Sequence, residues 1–225
     1  MDSNSNVIKE LDYVVGKWQV CQSCRVVDDD CRRSTVGYAC PICGVSGDGG
    51  VMYFDMSVHL IIDLIKEAFL TEHKIENKGT DYEYQINTHY ISVLIFFCTL
   101  REILLNRLIR EICFGLKLPK GVYNQLIMDN KMHVQKQDKL FASLTGVKWL
   151  DALKRLCNED KSDYVAVNNK ISDLVKLRNR FIHKGHGWGI TQEHANDCVR
   201  TIAPLIHMYV RLHNEFVHKM FSKNE

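Results

Sequence analysis

Two pairs of cysteines constrain the fold of this 225-residue chain more than any other feature of its sequence. The first pair is Cys21 and Cys24, and the second, after fifteen intervening residues, is Cys40 and Cys43. A two-residue gap lets one tight turn present both sulfur atoms to a tetrahedral ion, and two such pairs are typical of a four-thiolate structural zinc site. The sequence therefore predicts a zinc ribbon. All four ligands come from protein, which leaves no open position at the metal for catalysis.

Disulfide bonds and a redox-active pair are the alternative interpretations of these cysteines. The start of the chain lacks a basic segment followed by a long apolar run, the pattern of a secretory signal, and no βαβ pattern surrounds either pair. Four further cysteines are scattered through apolar helical patterns, as reduced, buried thiols are: Cys98, Cys113, Cys157 and Cys198. We expect a cytoplasmic protein, in which Cys31 is a loop thiol rather than a metal ligand.

Apolar residues recur at helical spacing from about residue 54 to the end of the chain. The pattern predicts one long helix over about 87–114 and another that starts after Thr191 and bends at Pro204. Shorter helices are predicted at about 121–129, 137–144, 148–157 and 163–184. No alternating pattern indicates strands outside the ribbon. The expected fold is therefore mainly α, with a zinc ribbon over 1–50 and a helical bundle over 51–225.

Composition excludes several classes of protein. Apolar residues make up 46% of the chain and charged residues 25%, as in an ordinary folded domain. The net charge of +2 is too small to indicate a nucleic-acid binder by itself, so any RNA site must be local. The longest apolar run, 91–100, is about half the ~20 residues that a membrane span needs, so we expect no membrane insertion.

The stretch "RNRFIH" places three chemically useful side chains within six residues near the end of the predicted helix at 163–184. Arg178 is a permanent planar cation suited to phosphate oxygens, Asn179 both donates and accepts, and His183 exchanges a proton near neutral pH. Metal-free RNA cleavage requires such groups: a base, an acid and a cation for the developing charge. The alternative is an ordinary helix end, because Lys184 and Gly185 form a last-turn cation and a glycine cap.

The form Arg-polar-three-any-His, late in an all-helical domain, resembles the HEPN superfamily over roughly residues 55–220. The resemblance implies that Arg178, Asn179 and His183 are the motif residues. Family members often carry an acidic residue on an earlier long helix, and Glu102 is the candidate here, holding Arg178 in place. An ordinary exposed salt bridge is the alternative role for Glu102.

The resemblance also implies a function. Many HEPN proteins are metal-independent endoribonucleases that leave 2′,3′-cyclic phosphate and 5′-hydroxyl ends, and they act as toxins or anti-phage defence effectors, in some cases with an antitoxin or regulatory partner. Arg178 and His183 are five residues apart and diverge by about 140° on an ideal helix, so one chain cannot easily close both around a phosphate. HEPN domains pair through this helix, which implies a homodimer with a composite site.

Two other functions remain open at this point. In one, the chain is a non-catalytic HEPN-like module for dimerisation, partner binding or nucleotide binding, with the zinc ribbon as an adaptor. In the other, the ribbon itself binds nucleic acid and the helices only dimerise. The ribbon sequence disfavours nucleic-acid binding, because Asp28, Asp29 and Asp30 lie beside Arg32 and Arg33 and give a surface of mixed charge.

Overall fold

A computed structural model describes residues 3–35, 37–46, 51–75, 83–185 and 189–222. It shows a helical bundle with a small three-stranded sheet, which confirms the mainly α fold and leaves the HEPN assignment a prediction. The helices are α1 (Ser3–Gly16), α2 (Met56–Ile75), α3 (Glu83–Gly115), α4 (Lys120–Asp129), α5 (His133–Gln135), α6 (Ala142–Thr145), α7 (Trp149–Asp160), α8 (Tyr164–Lys184), α9 (Gln192–His213) and α10 (Lys219–Ser222). None of the helices described is long and apolar enough to cross a membrane.

Helix α3 runs through the centre of the bundle, with α2 and α9 packed along it. Side chains on several faces of α3 are buried, so the sequence of this helix is apolar nearly all the way round its axis. Buried residues of α3 include Val93, Leu94, Phe97, Leu100, Leu104, Leu105, Leu108, Ile109 and Ile112. Helix α8 contacts both α3 and α9, so the predicted motif residues lie on a helix that packs directly on the core.

Helix α1 was not predicted from the sequence, which assigned residues 1–50 to the ribbon alone. Its residues Ile8, Leu11 and Val15 are each 1% exposed and form a short apolar stripe at helical spacing. This stripe packs on α9 and α2 and joins the core of the bundle. The predicted division at residue 50 falls within 47–50, outside the described residues, and stays a prediction.

The sheet consists of β1 (Gln19–Val20), β2 (Val27–Asp28) and β3 (Val51–Met52). β1 is central and pairs antiparallel with both neighbours, so β2 and β3 are edge strands. Residues 51–52 therefore complete the sheet of the ribbon from beyond residue 50. Directly after β3, Tyr53 and Phe54 enter the core of the bundle, each 2% exposed.

The predicted helix bounds from 120 onwards agree with the structure to within a few residues, because local capping sets them. Asp163 caps the start of α8 by accepting a hydrogen bond from the Ala166 N–H at 2.8 Å. Gly185 ends it with φ +66°, a conformation in which a Cβ is strained. Thr191 caps α9, as expected, and Pro204 lies inside that helix.

In the part of the chain that the structure describes, two π-helical turns interrupt the helices, over Lys136–Phe141 and Asn214–His218. A π turn adds one residue to a helical turn and so redirects the side chains around it. The first turn buries Lys136 and Gln137, and the second follows α9 without a break. No sequence pattern indicated either turn, and both position the polar contacts described below.

Candidate functional site

The two cysteine pairs fold into matching turns. The Arg25 N–H donates to the Cys21 carbonyl at 3.0 Å, and the Gly44 N–H donates to the Cys40 carbonyl at 2.8 Å. The residue after each pair has positive φ, +60° at Arg25 and +70° at Gly44. Glycine adopts this conformation freely, whereas arginine is strained there. The backbone of each turn thus presents two sulfur atoms to the same point.

The four sulfur atoms form a compact cluster. The Sγ atoms of Cys21 and Cys43 are 3.9 Å apart, those of Cys24 and Cys40 are 3.8 Å apart, and all four lie within 4.8 Å of one another. A disulfide needs about 2.05 Å, whereas thiolates at about 2.3 Å from a tetrahedral ion lie about 3.8 Å apart. The described cysteines are free thiols. The cluster therefore fits a tetrahedral metal ion rather than disulfides.

The surroundings of Cys40 favour a thiolate. Burial acts to raise the pKa of this thiol, but the Arg33 guanidinium and the backbone N–H groups of Cys43 and Ile42 outweigh it and lower the pKa to about 6. Arg33 is 3% exposed and is itself held by an ion pair with Asp28. Burial raises the pKa of the Cys21 and Cys24 thiols, so Cys40 carries the thiolate of the cluster, and a deprotonated sulfur is the form that binds a metal ion.

Polar contacts from the end of α9 and the π turn that follows attach the first cysteine turn to the bundle. Asn214 accepts from the Val27 N–H at 2.8 Å and donates to the Val27 carbonyl at 2.7 Å. His213 donates from Nε2 to the Arg25 carbonyl at 2.8 Å, and His218 donates from Nδ1 to the Cys24 carbonyl at 2.7 Å. The ribbon therefore docks on the bundle through its backbone.

Arg178, the first motif residue, is partly buried on the face of α8 that packs on α3. Its Nη1 donates to the Asn179 Oδ1 at 3.0 Å, so the structure brings these two predicted residues together. Its charge also acts on Cys98 and Arg101 of α3. The guanidinium is thus fixed by its neighbour on α8 and directed towards the centre of α3.

His183 lies one turn after Asn179, and its side chain is exposed. Ile182 beside it is 50% exposed, and Lys184 is also exposed. The end of α8 therefore offers an imidazole, a cation and an apolar side chain on an open surface. The segment 186–188 that follows lies outside the described residues.

Glu102 does not form the predicted contact with Arg178. Its carboxylate lies 3.7 Å from the Lys136 Nζ, and no ion pair between Glu102 and Arg178 occurs among the described residues. The reason is the first π turn, which directs the 4%-exposed Lys136 towards α3. Glu102 thus borders the site as the partner of a buried lysine.

Arg101 lies in the same region, is 5% exposed and was not predicted from the sequence. Its Nη2 donates to the Gln137 Oε1 at 3.2 Å, a neutral acceptor supplied by the π turn. A signal was present in the sequence, because Arg101 lies three and four residues from Cys98, Phe97 and Leu104 on the apolar side of α3. A charged residue in such a stripe indicates an interior polar site.

Two cavities lined by described residues lie elsewhere on α8. One, of about 410 Å³, lies between α8 and α9 and has Arg180 in its wall, but its lysines are neutralised by ion pairs with Asp173 and Asp197. The other, of about 570 Å³, lies at the start of α8, about 28 Å along the helix from His183. Neither has the Arg178 or His183 side chain in its lining.

Comparisons with protein-family models, with curated proteins and with solved structures find no match to this chain. The family resemblance carried by Arg178, Asn179 and His183 therefore stays a prediction.

Proposed function

We propose that the protein is a metal-independent endoribonuclease of the HEPN type that acts as a homodimer. The observation that carries the proposal is that the end of α8 holds both a guanidinium fixed by Asn179 and, one turn beyond Asn179, an exposed imidazole. His183 would take the proton from the 2′-hydroxyl group or give one to the leaving 5′-oxygen. Arg178 would stabilise the charge that develops on the phosphorus. The products would carry 2′,3′-cyclic phosphate and 5′-hydroxyl ends.

The geometry of α8 supports a site shared by two copies. Arg178 faces α3, whereas His183 is exposed and diverges from it by about 140° around the helix axis. A second copy related by two-fold symmetry would place its own His183 opposite the first Arg178. The exposed Ile182 supplies apolar surface for that contact.

Zinc is the metal that suits the cysteine cluster. Four thiolates in a tetrahedral arrangement are typical of structural zinc sites, and the sulfur separations of 3.8 and 3.9 Å fit them. Zinc bound there would stabilise the ribbon, and the residues of α8 would perform the reaction without it. By the same resemblance, the biological setting would be a toxin or an anti-phage defence effector in the cytoplasm, held in check by an antitoxin or regulatory partner.

A total-RNA digest tests this proposal. Wild type, His183→Ala and the matched control Lys184→Ala are incubated with RNA in a zinc-buffered solution without magnesium, and the ends of the products are mapped. We expect the His183 variant to cleave at least about 100-fold more slowly, because general acid–base catalysis contributes that much, and the Lys184 variant to stay within about tenfold. Light scattering checks that all three are folded dimers.

Two results would contradict the proposal. Equal cleavage by wild type and His183→Ala would assign the activity to another residue or to a contaminant. A monomeric wild type at micromolar concentration that still cleaves would remove the composite site. A folded dimer that cleaves no RNA under any condition would favour the alternative, a non-catalytic dimerisation or nucleotide-binding module with the ribbon as an adaptor.

A further inference from the structure

Three cations and one carboxylate meet where α3, α8 and the first π turn pack together. Arg101 is 5% exposed and Lys136 is 4% exposed, while Arg178 is partly buried. Glu102 pairs with Lys136, and Arg101 forms no ion pair with a described residue. Buried charges are ordinarily paired, because an unpaired one loses its hydration without compensation. The interior here carries an excess of positive charge.

Neighbouring side chains do not supply the missing negative charge. Burial raises the pKa of the Cys98 thiol to about 11, although Arg178 and Arg101 act to lower it. Burial likewise raises the pKa of the Tyr209 phenol well above its usual range. Both groups are therefore neutral at physiological pH. Burial lowers the pKa of Arg101, and the charge of Arg178 adds a smaller effect in the same direction, against Tyr209, Cys98 and Glu102, which act to raise it.

Two hydrogen-bond donors in this region are also unused. The Nε–H of Arg178 and the hydroxyl of Tyr209 are shielded from solvent, and neither has a hydrogen-bond partner among the described residues. Most buried polar groups in proteins have a partner, so a shielded donor without one indicates a missing acceptor. Tyr209 lies on α9, close enough to Arg101 for each charge to act on the other. Both unused donors thus belong to residues whose charges act on Arg101.

We propose that Arg101, Arg178 and Tyr209 form a receptor for a phosphate-type anion between α3, α8 and α9. An oxyanion supplies both what the cluster lacks, a negative charge, and what its donors lack, acceptor oxygens. Asn179 accepts a hydrogen bond from the Arg178 guanidinium, and Gln137 accepts one from the Arg101 guanidinium. The Glu102–Lys136 ion pair borders the same region on the side of the first π turn. The inference rests on the proposed function only for the identity of the anion, which would be a phosphate of the RNA backbone.

This receptor gives Arg101 a direct role in binding the anion. Arg101 lies on α3 and its charge and that of Arg178 on α8 act on each other, so the two helices would hold one anion between them. Arg180, two residues further along α8, is exposed and lines the separate cavity against α9. It is therefore the matched control: the same residue type, on the same helix, outside the receptor.

Inorganic phosphate is the first probe. The thermal midpoint of the full-length, zinc-loaded protein is measured over a phosphate titration, with chloride balancing the ionic strength. We expect phosphate to raise the midpoint of wild type and of Arg180→Gln equally. In Arg101→Gln and Arg178→Gln the apparent phosphate Kd should weaken at least about tenfold, because each loses a charge-assisted contact. Arg101→Lys keeps the charge without the planar guanidinium, so its phosphate Kd should lie between those of wild type and Arg101→Gln.

Salt dependence of RNA binding is the second measurement. A single-stranded oligonucleotide with 2′-O-methyl groups lacks the attacking hydroxyl, so its binding is measured without cleavage. Losing one phosphate contact should lower the slope of log K against log salt by about 0.7, in Arg101→Gln and Arg178→Gln but not in Arg180→Gln. Loss of fold alone would not produce a change confined to this slope.

The outcomes separate this inference from the proposed function. Phosphate stabilisation that depends on Arg101, in a protein that cleaves no RNA, would support the receptor and remove the nuclease. Cleavage that depends on His183, with equal phosphate responses in all variants, would retain the nuclease and overturn the receptor. The absence of any phosphate response in wild type would also overturn it.

Discussion

Asn214 makes the contact that most directly tests how the ribbon is held on the bundle. Its side-chain amide accepts from and donates to the backbone of Val27 at 2.8 and 2.7 Å. Val27 lies in β2, an edge strand whose outer backbone groups have no neighbouring strand. The amide therefore occupies the place of a further strand and satisfies two backbone groups at once. Asn214→Ala removes both hydrogen bonds without changing either the cysteines or the core.

The magnitude follows from the burial of Val27, which is 1% exposed. A hydrogen bond contributes about 0.5–1.5 kcal/mol net, and leaving a buried group without a partner costs about 1–3 kcal/mol, so we expect about 1–1.5 kcal/mol for each bond here. Two such bonds give an expected loss of about 2–3 kcal/mol in the free energy of unfolding. For a protein of this size the thermal midpoint should fall by roughly 4–12 °C.

Urea unfolding of the zinc-loaded protein, followed by circular dichroism, measures this loss. Asn158→Ala is the matched control, because Asn158 is exposed on α7 and its replacement should change stability by no more than about 0.5 kcal/mol. The same Asn214 variant is then made in a Cys40→Ser, Cys43→Ser background. There the loss should shrink below about 1 kcal/mol, because an unfolded cysteine turn no longer presents Val27.

Two results would refute this reasoning. A loss below about 0.5 kcal/mol in the zinc-loaded protein would mean that water replaces the amide at β2 without penalty. An equal loss with and without the two cysteines would mean that Val27 is held in place by the bundle alone, so that the metal site and the docking contact are independent.

Two further predictions concern the metal and the pH. Replacing Cys40 and Cys43 with Ser should abolish metal binding and open the amides of 21–46 to hydrogen exchange. The amides of Ile8 and Leu11 should stay protected, because α1 packs on α2 and α9. Exchange in α1 at the same rate as in 21–46 would contradict this prediction. Burial lowers the pKa of His213 to about 3 in the folded protein, against about 6.5 in the unfolded chain. As the pH falls, the unfolded state therefore binds the proton first, and the free energy of unfolding should fall by up to about 1.4 kcal/mol per pH unit below pH 6.5. His213→Gln should flatten that slope between pH 6 and pH 4 in urea titrations, and equal slopes would show that His213 does not cause it.

Features set by neighbouring residues could be predicted from the sequence. The cysteine turns follow from two-residue spacings, and the bounds of α8 follow from the Asp163 cap and Gly185. Helix α1 was missed because its buried stripe is short and begins after a polar stretch, so the local signal is weak. Arg101 could have been found, since it interrupts an apolar stripe on α3.

Features set by contacts between distant segments could not be predicted. The ribbon docks on residues 187 to 194 positions away in the chain, and no local spacing marks Asn214 or His218 as its partners. Likewise Glu102 was expected to hold Arg178, and the partner it has instead, Lys136, reaches it only because a π turn redirects the chain. Because no sequence pattern marks such π turns, Glu102 could be identified from the sequence but its contact with Lys136 could not.

The cysteine cluster and the proposed anion receptor are joined by one stretch of α9. Tyr209, whose hydroxyl borders the Arg101 region, lies one turn before His213, which donates to the Arg25 carbonyl of the first cysteine turn. One turn is about 6 Å of rigid helix, so a shift of the ribbon against His213 also moves the phenol of Tyr209. Arg25 strengthens the connection, because its side chain pairs with Glu111 on α3 at 2.5 Å, and both side chains are less than 20% exposed. Metal binding in the ribbon would therefore act, through Arg25, on the two helices, α3 and α9, that supply Arg101 and Tyr209.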